Sequence, residues 1–308
     1  MIQVQSGQDM RVAAVVVTYN RSELLQKTLA ALEAQSYAPA RVLVIDNAST
    51  DDTQKVLRAR ENRVPLEVYR LAKNGGGAGG FYFGMKTAYE DGYDAFWVMD
   101  DDTVPRPDAL LELVSKLQAA SEFRGGAMPS YAASMVLWTD GNACQMNYPT
   151  ARWEWPQNLA AHTPWIDLDC TSFVSCLVTR EAVTECGLPH PEFFIWFDDA
   201  EYTYRLAKWR SGIFVPDSIA DHLTPENRAV FWGEVTEKNF WKYAHGARNQ
   251  VSTAIMLRKP RILSDLVFGL LQGLRHCDAP LLLRIRLVWS AISGLWHLPE
   301  VRWPDTGR

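Results

Sequence analysis

Residues 12–20, VAAVVVTYN, form a short apolar run rich in Val, which predicts a strand buried on both faces. RSELLQKTLAALEAQ follows with apolar residues at helical spacing and Ser22 as its N-cap. RVLVIDNAS (41–49) predicts a second buried strand, TDDTQKVLRAR a second helix, and PLEVYRL a third strand. NGGGAGG predicts a glycine loop. A helix then runs through GMKTAYEDG to the strand AFWVMD. Strands alternating with helices predict an α/β fold, an open and mostly parallel sheet with helices on both faces.

Beyond residue 125 the pattern loosens, with Gly, Pro and Trp throughout. DCTSFVSCLVTREAVTECG predicts a strand and a helix. HPEFFIWFDDAEYTYRLAKWRSG predicts an apolar approach, an acidic cluster and a helix. IFVPDSIADHLTP predicts a strand leading to His222, and residues 226–257 are expected to be helical. From Pro260 on, ILSDLVFGLLQGL and LLLRIRLVWSAISGLWHL predict two amphipathic helices. Arg284 and Arg286 interrupt the second, and its clean apolar run covers only 287–296, short of the roughly 20 residues a membrane span needs. The division expected is a catalytic-type α/β domain over 1–257 and a helical segment over 258–308 that associates with a membrane or a partner.

The charge distribution sharpens that division. Residues 258–308 hold eight Lys/Arg and four Asp/Glu, a net +4, so residues 1–257 carry −9 of the chain's −5 total. An acidic body with a basic amphipathic end suits an anionic membrane surface, with a solvated basic face as the plain alternative. Nothing in the balance points to nucleic acid. Five cysteines, with no C-x-x-C pair, argue against a disulfide scaffold or zinc site. The first residues lack a basic-then-apolar leader pattern, so the expected place is the cytoplasm, peripheral on the inner face of the cell membrane.

In open α/β sheets, ligands bind beyond the carboxyl ends of the strands. Thr18 to Arg21, Asp46 with Asn47, Asn74 to Gly80, and Asp100 to Asp102 all fall at such ends. NGGGAGG contains Gly75-x-Gly77-x-x-Gly80, a literal dinucleotide fingerprint, but it follows the third strand rather than the first. It reads either as a flexible turn or as a loop whose bare backbone lets a phosphate or sugar approach. Asp100, Asp101 and Asp102 repel one another. They read either as a solvated acidic turn or as a site where hard oxygens hold Mg²⁺ or Mn²⁺, and the cation removes the repulsion. Asp198, Asp199 and Glu201 beside Trp196 read either as acids favoured at a helix N-terminus or as a partly desolvated general base with its neighbours. His222 alone would be structural; in this setting it is a candidate third metal ligand.

Together, VVVTYNR, VIDNASTDDT, DDD and FFIWFDDAEYTYR resemble inverting glycosyltransferases of family 2, which have the GT-A fold, over residues 12–250. NGGGAGGFYFG, DHLTP and YAHGARNQV look most like the galactofuranosyltransferases of polyprenyl-linked cell-wall galactan synthesis, whose related rhamnosyltransferases use dTDP-rhamnose. The resemblance implies roles by position. Thr18, Tyr19 and Arg21 would line the nucleotide pocket, and Asp46, next to Asn47, would hydrogen-bond a uracil. Asn74, Gly75 and Gly76 would face the diphosphate and sugar of a UDP-sugar donor, with Asp101 touching the donor. Asp100, Asp102 and His222 would bind the metal. Asp199 would be the base, while Asp198, Glu201 and Trp196 would hold a lipid-linked glycan acceptor. The chain departs from the subgroup at the first glycine of NGGGAGG, often a larger apolar residue there, so the resemblance leaves the shape of the donor pocket open. A homo-oligomer is left open as well.

Two readings of other classes compete. Asp100-x-Asp102-Thr103 is similar to the first motif of haloacid-dehalogenase-type phosphatases, although that motif normally follows the first strand. A non-catalytic sugar-nucleotide-binding module would leave the second acidic cluster without a task.

Overall fold

The computed structural model describes residues 10–305; the reading made of residues 1–9 lies outside them. β1 (Val12–Thr18) is buried along its whole length. Its Val12, Ala14 and Val16 enter one core layer and its Ala13, Val15 and Val17 the other, which is why the run shows no polar alternation. α1 (Ser22–Glu33) turns Leu25, Leu29 and Leu32 into the first layer. Ser22 does not cap it through its hydroxyl. Its backbone N–H instead donates to Asp51 Oδ2 at 3.2 Å, so the cap comes from a neighbouring turn. β2 (Arg41–Asp46), α2 (Thr53–Ala59) and β3 (Leu66–Arg70) complete the first half-sheet.

The glycine segment is helix rather than loop. α3 (Gly76–Glu90) begins inside NGGGAGG. A Cβ at Gly80 would lie 2.5 Å from Val17 Cγ1, and one at Gly84 would lie 2.3 Å from Val15 Cγ1, so bare backbone is what lets α3 sit directly on β1. β4 (Ala95–Asp100) and the short β5 (Thr103–Pro105) bracket the acidic triple. α4 (Ala109–Phe123) packs beside α1 in the first layer through Leu110, Leu113 and Leu117.

β6 (Tyr131–Leu137), β7 (Thr150–Ala151), the short α5 (Trp155–Ala160), β8 (Ile166–Cys170), β9 (Cys176–Thr179) and α6 (Arg180–Cys186) follow. α7 (Asp198–Trp209) and β10 (Gly212–His222) close the sheet. The strand order is β3-β2-β1-β4-β9-β6-β10-β8-β7, with β5 paired to β10. The β3-β2-β1-β4 portion is parallel. β9 then runs antiparallel to β4 and β6, so the other half is mixed. α3, α6 and α7 cover the second face through Phe81, Met85, Ala182 and Leu206.

α8 (Phe240–Met256), α9 (Pro260–Arg275) and α10 (Leu281–Ser293) share a separate core. Residues 226–239, expected to be helical, hold only a single 3-10 turn at Trp232–Glu234. Trp232 and Val235 are buried in the α8–α10 core, so anchoring by side chains replaces helix there. That core therefore begins near Trp232, well before the division placed at 257. Among the described residues no helix is long and apolar enough to cross a membrane.

Candidate active site

The carboxyl ends of β1, β2 and β4 lie side by side because their parallel register pairs Thr18 with Asp46 and Val17 with Asp100. Asp101 is buried and faces β1. Its Oδ2 accepts from Thr18 Oγ1 at 2.7 Å and from the Tyr19 N–H at 3.3 Å, and its Oδ1 accepts from Arg21 Nη1 at 3.3 Å. The same Arg21 nitrogen donates to Asp102 Oδ2 at 2.6 Å. One half-exposed guanidinium thus bridges two of the three acids.

β5 pairs antiparallel with β10, setting His222 opposite Thr103. This register brings His222 Nε2 to 3.2 Å from Asp102 Oδ1. The contact is an ion pair, and Oδ1 itself accepts no hydrogen bond although it is buried. His222 Nδ1 lies 2.8 Å from Asn147 Oδ1; a carboxamide oxygen can only accept, so Nδ1 carries the hydrogen and Nε2 is aimed at Asp102. Burial opposes charge on His222, but Asp102 beside it raises the imidazole to about 10. Burial likewise opposes ionisation of Asp102, yet His222 and Arg21 hold its carboxyl below the usual range. Asp101 is pushed up to about 6 by burial, and Asp100 to about 8 by desolvation and the two neighbouring acids. The triple is tolerated because Arg21 and His222 neutralise two members while the third keeps its proton near neutral pH.

The buried Asp102 Oδ1, which accepts no hydrogen bond and lies 3.2 Å from His222 Nε2, fits a divalent cation. The donor set is one hard oxygen and one imidazole, and Asn147 orients the ring as an outer partner does at metal sites. Among the described residues no three His, Cys, Asp or Glu side chains are already gathered around one point.

Asp46 is bonded within its own turn. It is fully buried, and its oxygens accept from the Ser49 N–H at 2.8 Å and Gln54 Nε2 at 2.6 Å, so it organises the turn after β2 instead of meeting a base. Asn47 is buried and ties that turn to α3, donating to Gly76 O at 3.0 Å and accepting from the Gly75 N–H at 3.3 Å. Asn74 Oδ1 accepts from the Gly76 N–H at 2.8 Å. Gly76 has φ +71, and a Cβ there would sit 1.9 Å from Phe194 O, so the sequence has glycine where two backbones meet. Tyr19 stands exposed at the rim.

The acidic pair opens α7 beside the glycine start of α3. Asp198 Oδ2 lies 4.0 Å from where a Cβ on Gly77 would stand. Burial, then the charges of Asp199 and Asp100, push the Asp198 carboxyl well above the ordinary range, so it is protonated at neutral pH. Burial raises Asp199 only to about 6, because the N–H groups of Ala200 and Phe173 stabilise its charge. Two adjacent carboxyls are thereby driven apart, one neutral and one ionised.

Glu201 belongs elsewhere. Three residues along α7 it points into the protein, fully buried, bonded by Arg205 Nε at 2.9 Å and Arg205 Nη2 at 3.1 Å, with His190 Nε2 at 3.7 Å. Trp196 is no open platform either. Its ring meets Tyr243 edge-on at 5.1 Å and lies over Gly246 on α8.

The approach to the pair is strained. Phe194 (φ 64°, ψ −61°), Trp196 (φ 60°) and Phe197 (φ 69°) all have positive φ without being glycine, at a cost on the order of 1–3 kcal/mol each. Arg248 and Asn249 of α8 bond the carbonyls of this segment. Asn147, Arg248 and Asn249 were given no role by the sequence, although Arg248 and Asn249 lie within the YAHGARNQV stretch that carries the resemblance. Asn147 lies in an irregular stretch with no local signal. Asn249 did leave one, an amide in the middle of a helix that its intrinsic preference disfavours.

Residues 13–164 match the Glycosyl transferase family 2 model. Galactofuranosyltransferase GlfT1 of Mycolicibacterium smegmatis is 37% identical over 100 residues, 32% of this chain and 32% of that protein. Undecaprenyl-phosphate mannosyltransferase of Micrococcus luteus is 32% identical over 139 residues, 42% of this chain and 56% of the relative. The chain thus aligns with about a third to a half of the length of these curated relatives. S. aureus TarS 1–349, solved in complex with UDP-GlcNAc, superposes with a TM-score of 0.59 at 15% identity, covering 94% of this chain and 82% of that one. The fold is therefore GT-A, and the haloacid-dehalogenase alternative falls away.

Proposed function

We propose, from the premise that residues 13–164 form a family 2 glycosyltransferase domain on a GT-A fold, that this protein is an inverting glycosyltransferase. It moves a hexose, galactofuranose from UDP-galactofuranose, onto a saccharide carried by a polyprenyl diphosphate. The observation that carries the reading is the nearness of two acidic centres, close enough that Asp100 acts on the Asp198 carboxyl. Asp101 and Asp102 with Arg21 and His222 stand at the strand ends, and the split pair Asp198 and Asp199 stands beside the glycine start of α3. The relatives named above, a galactofuranosyltransferase and an undecaprenyl-phosphate mannosyltransferase, support the donor and the lipid carrier.

In this reading Thr18, Tyr19 and Arg21 line the nucleotide pocket. The start of α3 turns the positive end of its dipole to the diphosphate, while its Gly75, Gly76 and Ala78 N–H groups stay bound to Asn47, Asn74 and Phe194. Asp102 and His222 would hold Mn²⁺ or Mg²⁺, which would supply positive charge near the diphosphate. Asp199, ionised near neutral pH, accepts the proton of the acceptor hydroxyl as that oxygen attacks the anomeric carbon from the face opposite the diphosphate, so the configuration inverts. Asp198, protonated, donates a hydrogen bond to the acceptor. Incubation with UDP-galactofuranose and a synthetic polyprenyl-diphosphate saccharide should release UDP and lengthen the acceptor by hexose units. Release of phosphate from simple esters, or no product from any UDP-sugar, would sink the proposal.

The helices α9 and α10 supply the docking surface. Phe268 and Leu271 of α9 and Leu281, Leu282 and Trp289 of α10 are all exposed, with Arg261, Arg275 and Arg286 exposed near them. A basic, apolar face of this kind lies on an anionic bilayer, each cation contributing on the order of 1 kcal/mol. The protein should float with anionic vesicles and leave them as salt rises. Phe268→Asp with Leu271→Asp should abolish flotation; equal flotation of the double variant would show the face is not the anchor, and a dimer in solution would assign it to a second copy.

A further inference from the structure

We infer that Asn249 of α8 is a positioning residue that holds the Phe194–Phe197 turn in the one shape that serves both walls of the cleft. The inference rests on the glycosyltransferase reading above, and deepens it.

Three residues of the turn, Phe194, Trp196 and Phe197, have positive φ, and all are large aromatics. Their own preferences oppose the shape, so something outside the turn must impose it. At Phe194 the chain folds so tightly that the Ile195 N–H reaches Phe193 O at 2.7 Å. This leaves the carbonyls of 193, 195 and 196 turned toward α8. The Asn249 side chain is fully buried, and the two hydrogens of its Nδ2 are shared among Phe193 O at 2.9 Å, Ile195 O at 3.1 Å and Trp196 O at 2.8 Å. Its Oδ1 accepts from Arg248 Nε at 3.1 Å and Nη2 at 2.9 Å. A guanidinium only donates and a carbonyl only accepts, so the amide can sit one way round. A carboxylate here would set an acceptor against three carbonyls, and an aliphatic side chain would leave all three without this donor. One turn earlier on the helix, Gly246 makes room for Trp196; a Cβ there would lie 2.8 Å from the indole.

The turn has two outputs. Phe194 O accepts from the Ala78 N–H at 3.2 Å, which fixes the glycine start of α3. Phe197 is the residue on which α7 begins, so its conformation aims Asp198 and Asp199. A single carboxamide thus sets the donor wall and the acceptor wall together, without being placed in contact with either ligand.

The test is Asn249→Ala, with Ser252→Ala as the comparison. Ser252 is equally buried on α8 but bonds Arg248 O and Gly294 O, away from the turn. Asn249→Ala should lower kcat by about 100-fold, the scale of a misplacement near 1 Å. Donor KM should rise alongside, because Phe194 O holds the glycine start of α3, and hydrogen exchange over residues 193–200 should quicken ahead of the rest of the chain. The acid limb of the pH profile should move, since Asp199 is displaced from the N–H groups that stabilise its charge. Asn249→Ser, which keeps one donor, should recover part of kcat and serves if the alanine variant does not fold. Retention of kcat in Asn249→Ala, or a loss matched by Ser252→Ala at equal melting temperature, overturns the inference. An unmutated chain that transfers no sugar sinks the glycosyltransferase reading instead, and exchange over 193–200 still decides whether Asn249 holds the turn.

Discussion

Asp199→Asn is expected to transfer sugar roughly 100- to 10,000-fold more slowly than the unmutated protein, the usual loss when a general base is removed. UDP affinity, with or without metal, should stay near normal, because the acceptor side alone is changed. The pH profile sharpens the test. Burial raises the Asp199 carboxyl to about 6, and only its ionised form accepts a proton, so kcat should climb as pH rises through about 6 and level off above it. The amide cannot titrate, so that limb should vanish from the residual rate. Asp198→Asn should do much less. Burial and its neighbours already keep Asp198 protonated, and an amide is close in shape and hydrogen-bonding to the neutral acid. Its effect should fall on the acceptor KM. Loss of turnover in Asp198→Asn with near-normal turnover in Asp199→Asn would exchange the two roles. Normal turnover in both would make the pair a helix cap and remove it from the chemistry.

The second large effect is expected at Asp102. Asp102→Asn keeps volume and removes the charge that faces both Arg21 Nη1 and His222 Nε2. Loss of even an outer partner at a metal site costs ~10–100-fold in affinity. UDP binding in Mn²⁺ should therefore weaken by roughly 100-fold and approach the value measured in EDTA, while binding in EDTA should barely change. The histidine reports separately. In the unmutated, metal-free protein the Asp102 carboxylate holds His222 protonated up to about 10. Without that charge only Cys144 and Asp100 still oppose burial, so the imidazole becomes neutral at a lower pH, a shift that proton NMR of the ring resolves. Equal UDP affinity with and without EDTA in the unmutated protein would count against a metal at this place, whatever the variant does.

Several features could be taken from the chain directly. VAAVVVT and RVLVID are buried strands because a two-sided sheet requires apolar side chains at every position, and no other element of that length reads so. The alternation with helices pointed to the parallel half-sheet β3-β2-β1-β4, and that in turn put Thr18, Asp100 and the glycine segment at one edge. α9 and α10 were visible from their apolar spacing. The glycines were visible as backbone that must come close to something, but not as the first turns of α3. Their partners, Val15 and Val17, are separated from them by some 60 residues, and glycine's own preference speaks for a loop.

Local pattern determined the periods of the elements and hence which strand ends and helix starts carry polar groups. It did so because periodicity is a property of neighbouring residues. Tertiary structure alone decided which of those groups face one another. Asp46 and Glu201 carry the charge a ligand site needs, yet one is consumed by Ser49 and Gln54 in its own turn and the other by Arg205 one helical turn on. Asp102 meets His222 only because β5 pairs with β10 in a register that spans 120 residues, and a slip of one residue would turn His222 to the other face. Asn249 meets the turn before Asp198 only because α8 packs there, some 50 residues downstream. Such meetings are set by the burial of whole faces, which the sequence encodes collectively and no short stretch displays.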